Sequence, residues 1–599
     1  MITQLLTYRQ LGYINVARVV AYRLGLKTGS HPVLRLTAPV AAGPFLRPSE
    51  RTGNTPAAND MWDTALWWFG RHQRPLPDGP PDWFANPFSN TAPSDASRDW
   101  WQISDFGQGD IKGIWELSRL DWLVAAATKA AKGNSEAVER LNGWLDDWAQ
   151  KNPPYKGPNW KCGQEASIRV MHLVTAAWIL GQDRTPEAGL VTLLRVHLQR
   201  IAPTMSYAIG QQNNHGTSEA AALFIGGSFL MGRDPRAATW ARKGRRWLEE
   251  RAAALIETDG SFSQYSINYH RVMLDTYALA EAWRQHRGLN AFSDRLRKRL
   301  AAATEWLRNL VDAETGDAPN IGANDGARLL QLTGTDYRDF RPSVQLAAAL
   351  FCGADAFGPG PWTAPLRWLE VPDGQPIEPT GSISFDDGGY HVLRRDRTMA
   401  VLRYPRFRFR PSQADALHLD LWHRGRNLLR DGGTFSYNAD GADWFGSTAA
   451  HNTVVFDGRD QMPRLGRFLF GNWLQAEGVQ TVEGDQESIA AAAGYTDAAG
   501  ARHHRQVVLN KDSLTCIDTL SGPFRHAELR WRLCPADWIL KGATLTGAGI
   551  QLAVQVEGQA LAPTLGIAPE SRYYLERTEV PLLSIPLHKP SRVITTIGF

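Results

Sequence analysis

Two short polar clusters hold the residue types best suited to chemistry. In the first, Gln211, Gln212, Asn213, Asn214 and His215 run directly into Gly-Thr-Ser-Glu219 and an apolar stretch. Asn213 or Asn214 can cap a helix beginning here, and His215 and Glu219, four residues apart, share one helix face. Neutral amides and an imidazole at such a start suit the gripping of an anionic or polyhydroxyl ligand. They equally suit a cap backed by a buried polar network, and spacing alone leaves both open. The second cluster, 259–271, is an Asp-Gly turn leading into a helix with Tyr265, Tyr269, Val272 and Thr276 on one stripe. A tyrosine on such a stripe usually belongs to a core, yet Asn268, His270 and Arg271 make this stretch more polar than a core requires. A third pattern alternates Arg403, Arg406, Arg408 and Arg410 with aromatic residues. As a strand it puts 406, 408 and 410 on one face, either a solvated edge or a surface for carboxylates.

These residues need a scaffold. From about 110 to 352, apolar residues recur at helical spacing between short Gly, Pro, Asn or Asp breaks. This pattern predicts helices over 114–131, 135–149, 164–180, 186–201, 215–230, 235–256, 265–286 and 292–311. Such an array is either a bundle or a toroid. Residues 353–381 are rich in Gly and Pro and read as a linker. Beyond them, short alternating runs predict an antiparallel β-sandwich. The expected organisation is an N-terminal helical extension over 1–50, a helical domain over 51–352, the linker, and a β domain over 382–599.

The 599 residues carry 65 Lys+Arg against 61 Asp+Glu, a near-neutral balance that argues against a dedicated nucleic-acid binder. No apolar run approaches the ~20 residues of a membrane span. Four scattered cysteines form no CxxC pair, which argues against a disulfide framework or a cysteine zinc site. Three arginines interrupt the apolar residues of the first 25, so a docked amphipathic helix is expected there rather than a signal peptide. A membrane-surface helix and a misassigned start are the alternatives. Cytoplasmic location is the default, periplasmic the alternative. Of 23 tryptophans, 12 precede residue 180, as core packing or as platforms for sugar rings.

The motif NNHGTSEA followed by DGSFSQYSINYHR resembles the heparinase II/III-like polysaccharide lyases. DIKGIWELSR at 110–119, NWKCGQEASIR at 159–169, GANDGAR at 322–328, DLWHRGRNLLRDGGTFSYN at 420–438 and STAAHNTVVFDGRDQ at 447–461 extend the match over roughly 100–540. The resemblance implies an incomplete (α/α) toroid followed by an antiparallel β-sandwich, and β-elimination on a uronic-acid polysaccharide. It implies that Asn214 neutralises the uronate carboxylate, and that His215 neutralises it or acts as base. Tyr269 would protonate the leaving oxygen, and in some members of the family also take the C5 proton. For that base role, Arg271 and His270 are the cations nearest in sequence.

Substrate contacts are expected from Gln164, Glu165 and Arg169, from Asn213, Glu219, Asn268, His270 and Arg271, and from rings at Trp115 and Trp160. Asp110, Lys112, Glu116 and Arg119 match the family too, but read equally well as salt bridges. Tyr437 either reaches the cleft from the sandwich or packs in its core. One departure stands out. Where members carry His-x-His-Ala-Asp, this chain has Pro411-Ser412-Gln413-Ala414-Asp415. Gln413 with Asp431 and His451 would bind zinc poorly, and strand alternation turns His418 away from Gln413. No cofactor is therefore expected. Gln413 is assigned to the substrate side, and Asp431 and His451 to a hydrogen-bonded pair. Two other functions compete with the lyase: a toroid-fold glycoside hydrolase using Glu165 and Glu219, and a non-catalytic acidic-polysaccharide-binding factor of an exopolysaccharide cluster.

Overall fold

The computed structural model describes residues 2–49, 55–89, 96–104, 109–557 and 562–599. The expected boundary between 50 and 51 lies outside the described residues. The chain opens with α1 (Ile2–Leu11) and α2 (Tyr13–Lys27). The helical domain then contains α3 (Lys112–Ser118), α4 (Asp121–Ala130), α5 (Ser135–Lys151), α6 (Gly163–Ile179), α7 (Ala188–Ile201) and α8 (Met205–Gly210). It continues with α9 (Asn214–Phe229), α10 (Ala237–Leu255), α11 (Ile267–His286), α12 (Asp294–Leu310) and α13 (Arg341–Ala347).

Helix character follows the sequence. In α5, Leu141, Trp144, Leu145 and Trp148 form the buried stripe, and Asn134 caps the start by accepting from the Ala137 N–H at 2.9 Å. By contrast α6 is buried along its whole length, and α9 nearly so, because both form the inner layer. Gly244 lets α10 close on α9: a Cβ there would lie 2.3 Å from the Phe224 nitrogen. The single helix expected over 114–131 is two. Leu120 adopts φ 66°, and this left-handed residue separates α3 from α4. The tryptophans are mostly packing. Trp122 stands 5.9 Å from Trp83 and 5.0 Å from Trp144, ring to ring, and all three are buried.

The stretch 353–381 is no open connection. It contains α14 (Ala364–Trp368), whose Leu366 and Trp368 are buried. After it, among the described residues, come three large antiparallel sheets and a two-stranded one of Arg464–Gly466 and Leu469–Phe470. The first, of five strands, runs in sequence order from Ile383–Phe385 to Arg426–Leu429. The second has eight strands, with Ser513–Ser521 paired to the last strand, Ser591–Gly598. The third has four and includes Ala527–Arg532 and Thr578–Leu587. A toroid-like helical region followed by a β-sandwich is thus the architecture. The expected strand over 398–410 ends at Arg403, since Pro405 brings no N–H to a ladder. Arginine and aromatic residues nevertheless still alternate outward and inward to Arg410.

Candidate active site

Two helix starts lie side by side where the helical domain meets the sandwich. Asn213 caps α9 by accepting from the His215 N–H at 3.1 Å, and Ser266 caps α11 by accepting from the Tyr269 N–H at 3.1 Å. The starts are tied together: the Asn214 N–H donates to Gln264 Oε1 at 2.8 Å, and Ser263 Oγ donates to the Gln212 carbonyl at 3.1 Å. Beneath α11, the Ile267 N–H donates to the Ile321 carbonyl at 3.2 Å. Gly322, at φ 83°, passes so close that a Cβ would lie 2.2 Å from the Tyr265 carbonyl oxygen.

The sandwich meets these helix starts through Tyr437. The Tyr437 hydroxyl meets the Tyr269 hydroxyl at 2.8 Å, a contact between residues 168 positions apart. Asp110 fixes the loop carrying Tyr437. Its Oδ2 accepts from Ser436 Oγ at 2.7 Å, from the Tyr437 N–H at 3.2 Å and from the Tyr574 hydroxyl at 2.5 Å. Lys112 Nζ pairs with Asp325 Oδ2 at 2.6 Å and stands 5.3 Å from the Tyr437 ring centroid. Although burial works against the Lys112 charge, Asp325 outweighs it and raises the lysine's pKa. Burial likewise opposes ionisation of Asp325, yet Lys112 and Arg119 hold it down at about 2.

The electrostatics give each group a definite protonation state. Burial pushes the Tyr269 phenol well above 10, and Asp325 and Tyr437 add to the effect. Tyr269 therefore carries its proton at neutral pH. His215 is half-buried, and burial lowers its pKa despite the opposing influence of Glu219, so the imidazole is neutral. Burial raises Glu219 to about 8, leaving it mostly protonated at neutral pH, with Oε2 lacking a hydrogen-bond partner. In the arginine-rich segment, Arg406 pairs with Asp386 at 2.9 Å and Arg408 with Glu257 at 2.8 Å. Arg410 is exposed, within electrostatic reach of Tyr269, Tyr437 and Tyr207, and has no carboxylate partner among the described residues.

Residues 83–319 match the family model "Heparinase II/III N-terminus", and residues 377–578 match "Heparinase II/III-like, C-terminal". The chain belongs to the heparinase II/III-like superfamily. It is similar to the heparin-sulfate lyase of Pedobacter heparinus, 24% identical over 384 residues, which are 60% of this chain and 54% of that protein. To the heparin-sulfate lyase of Bacteroides thetaiotaomicron it is 23% identical over 390 residues, 59% of this chain and 53% of the relative. The chain thus spans about half the length of the curated relatives it matches. A heparinase III crystal structure shares the fold at TM-score 0.62 and 17% identity, covering 85% of this chain and 80% of that one. The heparan sulfate lyase structure from P. heparinus does so at TM-score 0.54 and 18% identity, covering 82% and 77%.

Within this superfamily fold several expected substrate contacts are spoken for internally. Arg169 is fully buried, donating to His197 Nε2 at 2.8 Å and to the Asn159 carbonyl at 2.7 Å, with its guanidinium by the Trp148 and Trp160 rings. Trp160, 0% exposed, donates to the Asn152 carbonyl and is core rather than a sugar platform. His270 donates to the Ala303 carbonyl at 2.8 Å and stacks on Trp306, and burial lowers its pKa to about 3. Arg271 bonds to Asn268 Oδ1 and the Tyr337 carbonyl, between the Tyr337 and Phe340 rings. Neither His270 nor Arg271 supplies a cation to Tyr269; the cations facing that region are Lys112 and Arg410. Asn268 Oδ1 also accepts from the Tyr337 hydroxyl at 2.7 Å, so this amide serves the support under Tyr269.

Glu165 is held by Arg119 through two hydrogen bonds of 2.8 and 3.0 Å, which removes it from substrate. Gln164 retains a free carbonyl, its Oε1 unpartnered and the residue 5% exposed. Trp115 anchors its Nε1 on the Pro158 carbonyl at 2.9 Å and presents its ring toward Lys112. Gln413 ties the domains instead of facing substrate: Oε1 accepts from the Gly322 N–H at 3.0 Å, and Nε2 donates to the Gly433 carbonyl at 3.2 Å. Sequence reasoning gave no role to Asp325 and missed Tyr574. Asp325 sits inside the GANDGAR segment, whereas Tyr574 lies beyond the 100–540 stretch that the sequence motifs span, with only an aromatic doublet to mark it.

Asp431 and His451 form the expected pair, Nδ1 to Oδ2 at 2.8 Å. His418, expected to face away, joins them: its Nε2 is 3.5 Å from Asp431 Oδ2, and candidate ligand atoms of all three lie within 4.8 Å of one another. The Nε2 atoms of His418 and His451 are buried without a hydrogen-bond partner among the described residues. His418 Nδ1 accepts from the Asn452 N–H at 3.0 Å, which places that ring's proton on Nε2, toward Asp431. His451 gains a proton-binding preference from Asp431 that outweighs its burial.

Proposed function

We propose that the protein is a polysaccharide lyase that cleaves a uronic-acid-containing chain by β-elimination. The observation that carries this reading is the Tyr269–Tyr437 hydroxyl contact between the domains, beside the tied helix starts bearing Asn214 and His215. Asn214 binds the uronate carboxylate through its neutral amide and stabilises charge building up as the C5 proton departs. His215, neutral because of burial, takes that proton as general base. Tyr269, fully protonated, gives its proton to the glycosidic oxygen as the C4–O bond breaks. One product then carries a C4=C5 double bond and the other a new hydroxyl. Tyr437 steadies the phenolate by hydrogen bonding, and solvent returns the proton from His215 to Tyr269. Arg410 offers an unpaired cation to a substrate carboxylate or sulfate.

The heparin-sulfate lyase relatives support an acidic polysaccharide as the substrate class. No step of this reading is routed through a metal. A hydrolase would need two carboxylates flanking the scissile bond, and Glu165 is committed to Arg119. The test is incubation with a panel of uronate polymers. Unsaturated, ultraviolet-absorbing ends support the lyase, new reducing ends without that absorbance mean a hydrolase, and binding without either leaves a non-catalytic factor.

A further inference from the structure

Residues 2–27 lie outside both superfamily matches, and they turn apolar side chains toward solvent. Twelve large apolar side chains of the described residues are exposed, and six of them belong to α1 and α2: Leu6, Tyr8, Tyr13, Ile14, Val20 and Leu24. Along α2 the arrangement is ordered. Tyr13, Ala17, Val20 and Leu24 recur at four-, three- and four-residue spacing, which makes one stripe, and all four are exposed. Ile14, 71% exposed, widens it. Helical geometry puts Arg23 and Lys27 along one edge of the stripe and Arg18 along the other. The opposite face is the one that docks. Tyr22 stacks on Tyr207 of α8, ring centroids 4.1 Å apart at 21°, and a Cβ on Gly210 would lie 3.0 Å from Arg18 Cβ. Thr7 of α1 is fully buried, its Oγ1 close beside Gly471. The charge is one-sided as well: residues 1–49 carry no Asp or Glu, and Arg9, Arg23 and Lys27 are exposed.

We propose that this stripe rests on the surface of an anionic lipid bilayer. Neither helix, at 10 and 15 residues, reaches the ~20 needed to cross one, so the contact is with the interface. An apolar stripe edged by cations is the pattern of a helix lying in that plane. Tyr8 and Tyr13 add aromatic bodies with polar tips, which suit the level where headgroups begin. Cations without a neighbouring carboxylate in sequence are drawn to anionic headgroups. An acidic soluble partner would use those cations but leave the stripe in water. A second copy would set like charges of two hairpins against each other. The proposal is independent of the lyase reading.

The experiment is co-sedimentation of the full chain with vesicles of equimolar phosphatidylglycerol and phosphatidylcholine, or of phosphatidylcholine alone. The parent binds the anionic vesicles, prefers them to the neutral ones, and loses affinity as salt rises. Ile14→Glu/Leu24→Glu puts carboxylates on the stripe at exposed positions and lowers binding at least about tenfold. Arg9→Gln/Arg23→Gln/Lys27→Gln lowers it by about 10²-fold and flattens the salt dependence. No binding by the parent, or equal binding by the parent and the glutamate variant, overturns the proposal. Loss in the charge variant alone does so too, because it marks a site for any soluble polyanion. Self-association that the glutamate variant abolishes, without vesicle binding, gives the face to a second copy and also overturns it. If a variant fails to fold, amide hydrogen exchange of the parent decides. Slower exchange over 13–24 with anionic vesicles supports the proposal; unchanged exchange there overturns it.

Discussion

At the scale of single residues, the protonation states decide the roles. A phenol held above its usual pKa keeps its proton at neutral pH, so Tyr269 has a proton to give and is not poised as a base, and Tyr269→Phe lowers kcat by about 10²–10⁴-fold and largely spares KM. Unchanged turnover in steady-state assays would remove Tyr269 from the mechanism. Arg410→Ala acts differently. Its loss weakens attraction for an anionic chain, raising KM several-fold with a smaller effect on kcat and a shallower dependence on salt. Glu219 offers a pH test. Its folded pKa of about 8 lies above the ordinary carboxylate value. The proton it holds in the fold therefore contributes stability that is complete below about pH 4.5 and is lost as pH rises to about 8. Glu219→Gln keeps the neutral form at every pH. The variant matches the parent in stability near pH 4.5 and exceeds it at pH 9 by at least about 1 kcal/mol, measured by denaturant titration. Equal stability at both pH values would mean that Glu219 is not held protonated.

At the scale of elements, the helix starts matter most, and they were partly legible. The polar run at 211–215 and the Asp-Gly turn before Tyr269 mark helix starts in sequence, and the structure caps both. The misplaced contacts share one physical cause. Helices α6 and α11 are buried on all sides or nearly so, so neither has an amphipathic contrast to show which side chains face the domain junction. Arg169, His270 and Arg271 therefore looked like ligand-binding residues although each is consumed by packing. Gly322 is the element-scale test. At φ 83° with no room for a Cβ, Gly322→Ala strains the turn beneath α11, costing about 1–3 kcal/mol and lowering activity along with the melting temperature. A variant with parental melting temperature would show that the turn tolerates a side chain.

At the scale of the whole molecule, the site exists only when the two domains meet. Tyr269 and Tyr437 come from different domains, and Asp110 gathers Ser436, the Tyr437 backbone and Tyr574 to set their distance. Such pairing cannot be read from local periodicity, because each partner's pattern is explained by its own element. Asp110→Ala leaves every reacting group present but loosens one side of the junction, and an error of about 1 Å costs roughly 10²-fold in rate. The expected signature is a fall in kcat with the fold intact by circular dichroism; parental kcat would show that Asp110 does not set the spacing. The central claim is elimination at a uronate by an acid drawn from the helical domain. Its most direct measurement is ultraviolet absorbance during incubation of the intact chain and Tyr269→Phe with uronate polymers. Absorbance that grows with the intact chain and stays flat with the variant is the predicted result. Bond cleavage without absorbance, or equal absorbance from both proteins, would contradict the account.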